Sequence, residues 1–299
     1  MRRWRSVAVI GITLALTACS AGGDGAADDE PIVVAGVGLA TPESVLHDRS
    51  ADVYLVSNVN GSPFRKDDNG FISRLDPDGT VAELKWIDGA ADDVTLNAPK
   101  GMAFKGDTLL VADIDEVRLF DRTTGAALGS WRVPGSTFLN DVAVGPDRTV
   151  YVTDMGVYEG FLPSGTDAVH KFDSAGEPVA LVSGEALGGP NGILVDGGRV
   201  MFVTYKSGRV HLVQRETGTI SGLPAPPSGA LDGVVKIAES VFLISSWDGE
   251  AVYRMGVGGL YTTEVDSVEA PADIGIDARR RRLLIPLFHA DEVRIQPIE

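Results

Sequence analysis

The sequence predicts an all-β fold, a six-bladed propeller, and three observations carry that expectation. One short unit recurs six times, each copy reads as a run of brief strands, and the last copy lacks a strand that the N-terminal segment can supply. A length of 299 residues would otherwise suggest two domains, but a ring of repeats accommodates it in one. The 36 glycines and 16 prolines fit frequent tight turns, and no stretch carries a convincing helical period.

The first residues stand apart from the repeats. Met1 to Arg5 carries three arginines, Ser6 to Leu16 is almost wholly apolar, and Leu16-Thr17-Ala18-Cys19 follows. That is the order of a secretory signal, and its apolar run is short for a permanent membrane span. Leu-Thr-Ala-Cys resembles the bacterial lipobox, whose cysteine is acylated and becomes the first residue of the mature chain. The resemblance implies lipidation at Cys19, export and membrane anchoring in the cell envelope; an ordinary signal peptide with an incidental cysteine is the alternative. The expected organisation is a lipoprotein signal peptide at 1–18, a Gly-rich acidic tether at 19–30 and the propeller at 31–299.

The six copies open with Pro or Leu, a variable residue, and then usually Gly or Asp. They are Pro42-Glu43-Ser44, Pro99-Lys100-Gly101, Leu139-Asn140-Asp141, Pro190-Asn191-Gly192, Leu231-Asp232-Gly233 and Pro271-Ala272-Asp273. Their middle residues lie 57, 40, 51, 41 and 40 positions apart, a base period near 40 with two insertions. After each opening comes an apolar strand A, then a nearly continuous apolar strand B such as VYLVSN from Val53 or VMFVTY from Val200. A third strand, C, alternates in hydrophobicity, and Gly-containing turns lead on to strand D. The sixth copy ends at Glu299 just after its C strand, so Pro31 to Val37 is expected to complete it and remove an open sheet edge.

In such a blade A is innermost and antiparallel to B, so the start of A and the end of B share one end of the central channel. That end is predicted to gather Glu43, Lys100, Asn140, Asn191, Asp232 and Ala272, with the B-strand ends Asn58, Asp113, Asp154, Lys206, Trp247, Asp248 and His289. The insertions, 61–69 and 156–167, are B-to-C loops that could cover the mouth. Two carboxylates and two amides are oxygen ligands, which suit a hard divalent cation, calcium above all. The same opening residues are also common turn formers, which leaves a purely structural reading open.

This constellation resembles the regucalcin and gluconolactonase family of six-bladed propellers, in which a Glu, two Asn and an Asp hold a divalent cation. The resemblance implies Glu43, Asn140, Asn191 and Asp232 as metal ligands, with Asp232 also the general base of metal-assisted lactone hydrolysis. Lys100, Phe138, Trp247 and His289 are the substrate-contacting candidates. The sequence departs from the family at Phe138, which stands where sugar lactonases carry a substrate-binding arginine, and at Lys100, which adds an ammonium to the ring. That lysine could pair with Glu43 or Asp232, bind an anion, or point to solvent. A non-enzymatic propeller binding a small ligand or a protein is the competing function.

Other classes find no support. A net charge of −16, which becomes −19 once the three leader arginines are removed, argues against a nucleic-acid partner. A single cysteine excludes an internal disulfide and a cysteine zinc site. Asp141 and Asp273 read as backbone caps, His170 and His211 as structural, and His47 and His289 as lacking a visible partner. The arginines 279–282 read as solvated charge, and Gly36-Val37-Gly38 as a strand-to-turn segment.

Overall fold

Continuous apolar B strands can be stable only if both of their faces are covered, and the radial packing of blades provides that cover. The computed structural model describes residues 30–173 and 176–299. The leader, Cys19 and the tether up to residue 29 lie outside the described residues. From Pro31 to Glu299 the chain forms one unit of six four-stranded antiparallel sheets.

Each blade runs A, B, C, D from the channel outward. Blade 1 is Pro42–Asp48, Val53–Asn58, Phe71–Leu75 and Val81–Asp88; blade 2 is Pro99–Lys105, Thr108–Asp113, Glu116–Asp121 and Ala127–Arg132. Blade 3 is Leu139–Val144, Val150–Asp154, Ala168–Phe172 and Pro178–Ser183; blade 4 is Pro190–Asp196, Arg199–Thr204, Val210–Gln214 and Ile220–Gly222. Blade 5 is Leu231–Ala238, Val241–Ser246, Ala251–Met255 and Tyr261–Val265. Blade 6 takes Gly275–Asp277, Arg282–Leu287 and Glu292–Pro297 from the C-terminus and Ile32–Val34 from the N-terminus. The only helical pieces among the described residues are three short 3-10 turns.

The hydrophobic core is divided among the blade interfaces. Leu55 and Ile72 of blade 1, for example, meet Met102, Leu109 and Val111 of blade 2, all at or near zero exposure. Full burial of one such side chain stabilises by about 1.5–3 kcal/mol, so every interface contributes and the ring is held all round.

The closure predicted for the last blade is present. Ile32, Val33 and Val34 pair with Ile295, Arg294 and Val293, and Val34 packs with Tyr54, Leu284 and Val293 in the core between blades 6 and 1. Two readings of the sequence need correction at this seam. Arg280 is a clamp: its guanidinium donates to both carboxylate oxygens of Asp52 at 2.7 and 2.6 Å and to Asp277 at 2.9 Å, while Arg282 donates to the Pro77 carbonyl at 2.8 Å. Asp52 lies in the A-to-B turn of blade 1, so the arginine run ties the last blade to the first. His47 also has partners, with Nε2 3.4 Å from Asp52 and Nδ1 3.5 Å from Asp277. Tyr54 donates to the other Asp277 oxygen at 2.8 Å.

Candidate functional site

Each A strand carries one extra residue just after its opening. In blade 2, Pro99 faces Asp113 and Met102 faces Val111, so three steps on A match two on B; blades 1, 3, 4 and 5 show the same shift. In blade 6 the four steps from Pro271 to Gly275 match the three from Leu287 to Leu284. A bulge bends the strand and re-aims a side chain. Here it acts on the variable opening residue of every blade.

Hydroxyls on the B strands hold three of these bulges, those of blades 1, 3 and 5. Ser57 accepts from Ser44 N, Thr153 from Asp141 N and Ser245 from Gly233 N, at 2.9, 3.0 and 2.7 Å. Thr153 and Ser245 also donate to the opening carbonyls of the next blades, Asn191 and Ala272, at 2.6 and 2.8 Å. The glycines of the openings have a related cause. A Cβ on Gly101 would lie 2.1 Å from the Asp141 carboxylate, and one on Gly233 would lie 2.4 Å from Ile274 N. The neighbouring blade fills the space a side chain would need.

Glu43, Lys100, Asn140, Asn191 and Asp232 all line a single cavity of about 610 Å³, together with Phe138, Trp247 and His289. The cavity thus brings together every predicted site residue that lies among the described residues. Ala272, the sixth opening residue, is buried outside it. Both insertions reach the mouth: Ser62, Pro63 and Phe64 come from one, and Glu159, Gly160 and Phe161 from the other. Phe64 meets Phe161 edge-on with ring centroids 5.3 Å apart, so the two loops touch over the site.

The ring oxygens are buried yet incompletely satisfied. Glu43 Oε2, Asn140 Oδ1, Asn191 Oδ1 and Asp232 Oδ1 have no hydrogen-bond partner, whereas Asn191 Nδ2 donates to the Leu231 carbonyl at 3.3 Å. Buried polar atoms normally find partners, and these four oxygens all belong to residues lining one cavity. Their chemistry fits a hard divalent ion such as calcium. Among the described residues no three His, Cys, Asp or Glu side chains cluster for a metal, so any site here relies on the two amides.

The electrostatics agree. Burial first, then the charges of Asp232 and Asp273, holds the Glu43 carboxyl well above the usual range. Burial and Asp273 do the same to Asp232, against a lowering by Trp247 and Asn191. Below the ring, burial pushes Asp273 up to about 7, although Ser44 donates to it at 2.6 Å. Asp273 therefore accepts a hydroxyl where a backbone cap was expected. Asp141 behaves as expected, accepting from Val142 N and Ile193 N.

Lys100 is not a solvent-facing residue. It is 1% exposed, its ammonium donates to the Ala98 carbonyl at 2.9 Å, and it lies 4.4 Å above the Phe138 ring. Among the described residues it makes no ion pair, and burial lowers its affinity for a proton. Three of the B-strand ends also differ from expectation. Asn58, Asp113 and Asp154 are fully buried and face the preceding chain; Asp113 accepts from Ala98 N and Asp154 from Phe138 N, at 2.8 and 3.0 Å. Lys206 pairs with Asp167 at 2.6 Å.

The sequence reading missed the aromatic residues Phe64, Phe161, Tyr205 and Phe288. Phe64 and Phe161 lie inside the two insertions, and Phe288 and Tyr205 each directly follow a B strand, next to positions that were read.

No family profile matches the chain, and no curated protein matches it either. Among solved structures, a gluconolactonase from Xanthomonas campestris superposes with a TM-score of 0.67 at 17% identity, covering 87% of this chain and 87% of its own. A putative gluconolactonase gives 0.66 at 15%, covering 91% and 95%. These proteins share its propeller fold. Virginiamycin B lyase from Staphylococcus aureus does so as well, with a TM-score of 0.64 at 13% identity, covering 89% and 98%.

Proposed function

We propose that this propeller holds a divalent cation, calcium in the first instance, at its channel mouth and hydrolyses a lactone or small ester there. The observation that carries this reading is the set of four unpartnered buried oxygens on Glu43, Asn140, Asn191 and Asp232. When bound, the cation would supply Lewis-acid polarisation of the substrate carbonyl. Asp232 is the base that takes a proton from the attacking water, and the Asn140 and Asn191 amides, with Glu43, complete the ligand set. Lys100, fixed on Ala98 and Phe138, offers its remaining N–H donors to the substrate's carbonyl oxygen.

A panel of lactones and aryl esters run with wild type and Asp232→Asn tests the reaction. Calcium-dependent turnover that falls about 100-fold or more in the variant is expected, the scale of a lost general base; undiminished turnover removes Asp232 from that role. The fold also carries a lyase, so products must be identified: hydrolysis adds one water, whereas elimination leaves an unsaturated acid. The second reading, a non-catalytic ligand-binding propeller, is favoured by Lys100, whose buried ammonium could hold an anion. It predicts saturable binding without turnover.

The chain is proposed to be exported and attached to a membrane through acylated Cys19. Labelled palmitate should enter the wild type and not Cys19→Ala, which should be recovered free of membranes. Membrane-bound, labelled Cys19→Ala would contradict it.

A further inference from the structure

The cavity changes character from floor to rim. Its floor holds the charged and amide groups on the bulged A strands; above them stand rings from five blades. Phe64 and Phe138 lie 4.9 Å apart, Phe64 and Phe161 5.3 Å, Phe161 and Tyr205 5.9 Å, Tyr205 and Trp247 5.6 Å, and Trp247 and Phe288 5.3 Å. They form an unbroken arc around the mouth, and Phe161, the ring of the blade 3 loop, remains 47% exposed.

A polyhydroxylated ligand needs hydrogen-bond partners on every side, because each hydroxyl buried without one is costly. This wall offers few beyond Ser62, Glu159, His289, the Tyr205 hydroxyl and Trp247 Nε1. An apolar ring, by contrast, gains from contact with aromatic faces and edges, and a cavity of about 610 Å³ has room for a bicyclic body.

Resting on the reading that the channel mouth is the ligand site, we infer that its ligand is a lactone or ester with an aromatic body. The carbonyl end lies on the floor between Lys100 and the four-oxygen ring, and the body lies against the arc from Phe64 to Phe288. Phe138 serves this preference twice, by lining the cavity with an apolar ring and by carrying the Lys100 ammonium on its face.

Matched lactams, which resist hydrolysis, separate this inference from the proposed reaction. Titration calorimetry of the full mature chain with 3,4-dihydro-2-quinolinone and with gluconolactam, in calcium and again in chelator, compares an aromatic with a polyhydroxylated body. The aromatic lactam is expected to bind about ten-fold tighter or more, and Phe64→Ala/Phe161→Ala to weaken it by a similar factor. Leu162→Ala, on the same exposed loop but outside the cavity, should leave binding unchanged. Equal or tighter binding of gluconolactam, no binding of the aromatic lactam, or no effect of the double substitution would overturn the inference. Tight aromatic binding without turnover of dihydrocoumarin would instead remove the hydrolase reading and leave the ligand class standing.

Discussion

Glu43 and Asp232 sit where a carboxylic acid resists ionisation. Both are fully inside the protein, and burial favours their protonated forms. The sign of the pH effect follows. A carboxyl whose folded value is raised contributes stability below its unfolded value, and that contribution is lost as pH rises through the folded one. Without a cation, the melting temperature should therefore fall from about pH 4 to about pH 7, the interval bounded by an ordinary aspartate and by Asp273. Glu43→Gln/Asp232→Asn should flatten that fall, and the cation-free variant should melt no lower than wild type near neutral pH. A thermal scan in chelator across this range checks both; a wild-type curve that rises with pH would contradict the account. The amide side chains pose a different test, since Asn191→Ala removes one orphan oxygen without changing charge. It should weaken cation binding while leaving the pH trend intact.

At the scale of elements, the seam between blades 6 and 1 closes the ring. Tyr54, Arg280 and His47 converge on the buried Asp277 carboxylate, and Arg122 bonds both oxygens of Asp48 nearby. Burial alone would raise both acids, but the guanidinium partners win and hold them below the ordinary value of 3.8. Their contribution is present above that value and lost as pH falls through the folded one, so acid unfolding should begin here below about pH 4. Arg280→Ala should destabilise by about 1–3 kcal/mol, less than for a fully buried pair because the guanidinium is partly exposed. Denaturant unfolding measures it, and a loss under about 0.5 kcal/mol would mean the clamp is incidental. The N-terminal strand is the other closure. Removing residues 31–34 should expose the edge of Glu292–Pro297 and promote association between copies, which sedimentation would detect.

For the molecule as a whole, blade count, strand order and closure were legible because they depend on apolar runs and turn residues recurring at a fixed period. The positions of Glu43, Asn140, Asn191 and Asp232 were legible for the same reason, since equivalent places in equivalent blades must meet at one axis. What the pattern could not reveal were features that leave no mark in the order of apolar and turn residues. The bulges that aim those residues depend on one extra A-strand residue and on the hydroxyls of Ser57, Thr153 and Ser245, ordinary members of apolar strands. Asp113 and Asp154 resembled site residues because they end B strands, yet backbone amides claim them. Phe64 and Phe161 lie in insertions, where contact across the mouth is a fact of three dimensions. Arg280 read as solvated charge because its partner Asp52 is 228 residues distant.

Calcium titrated into chelator-treated protein, followed by calorimetry and by the melting temperature, tests the central claim most directly. One ion per chain should bind, with a rise of about 5 °C at calcium about 100-fold above Kd, equivalent to about 2.7 kcal/mol. Asp232→Asn and Glu43→Gln should each lose most of that rise. No heat and no shift in wild type, or the same shift in both variants, would contradict a cation site at the channel mouth.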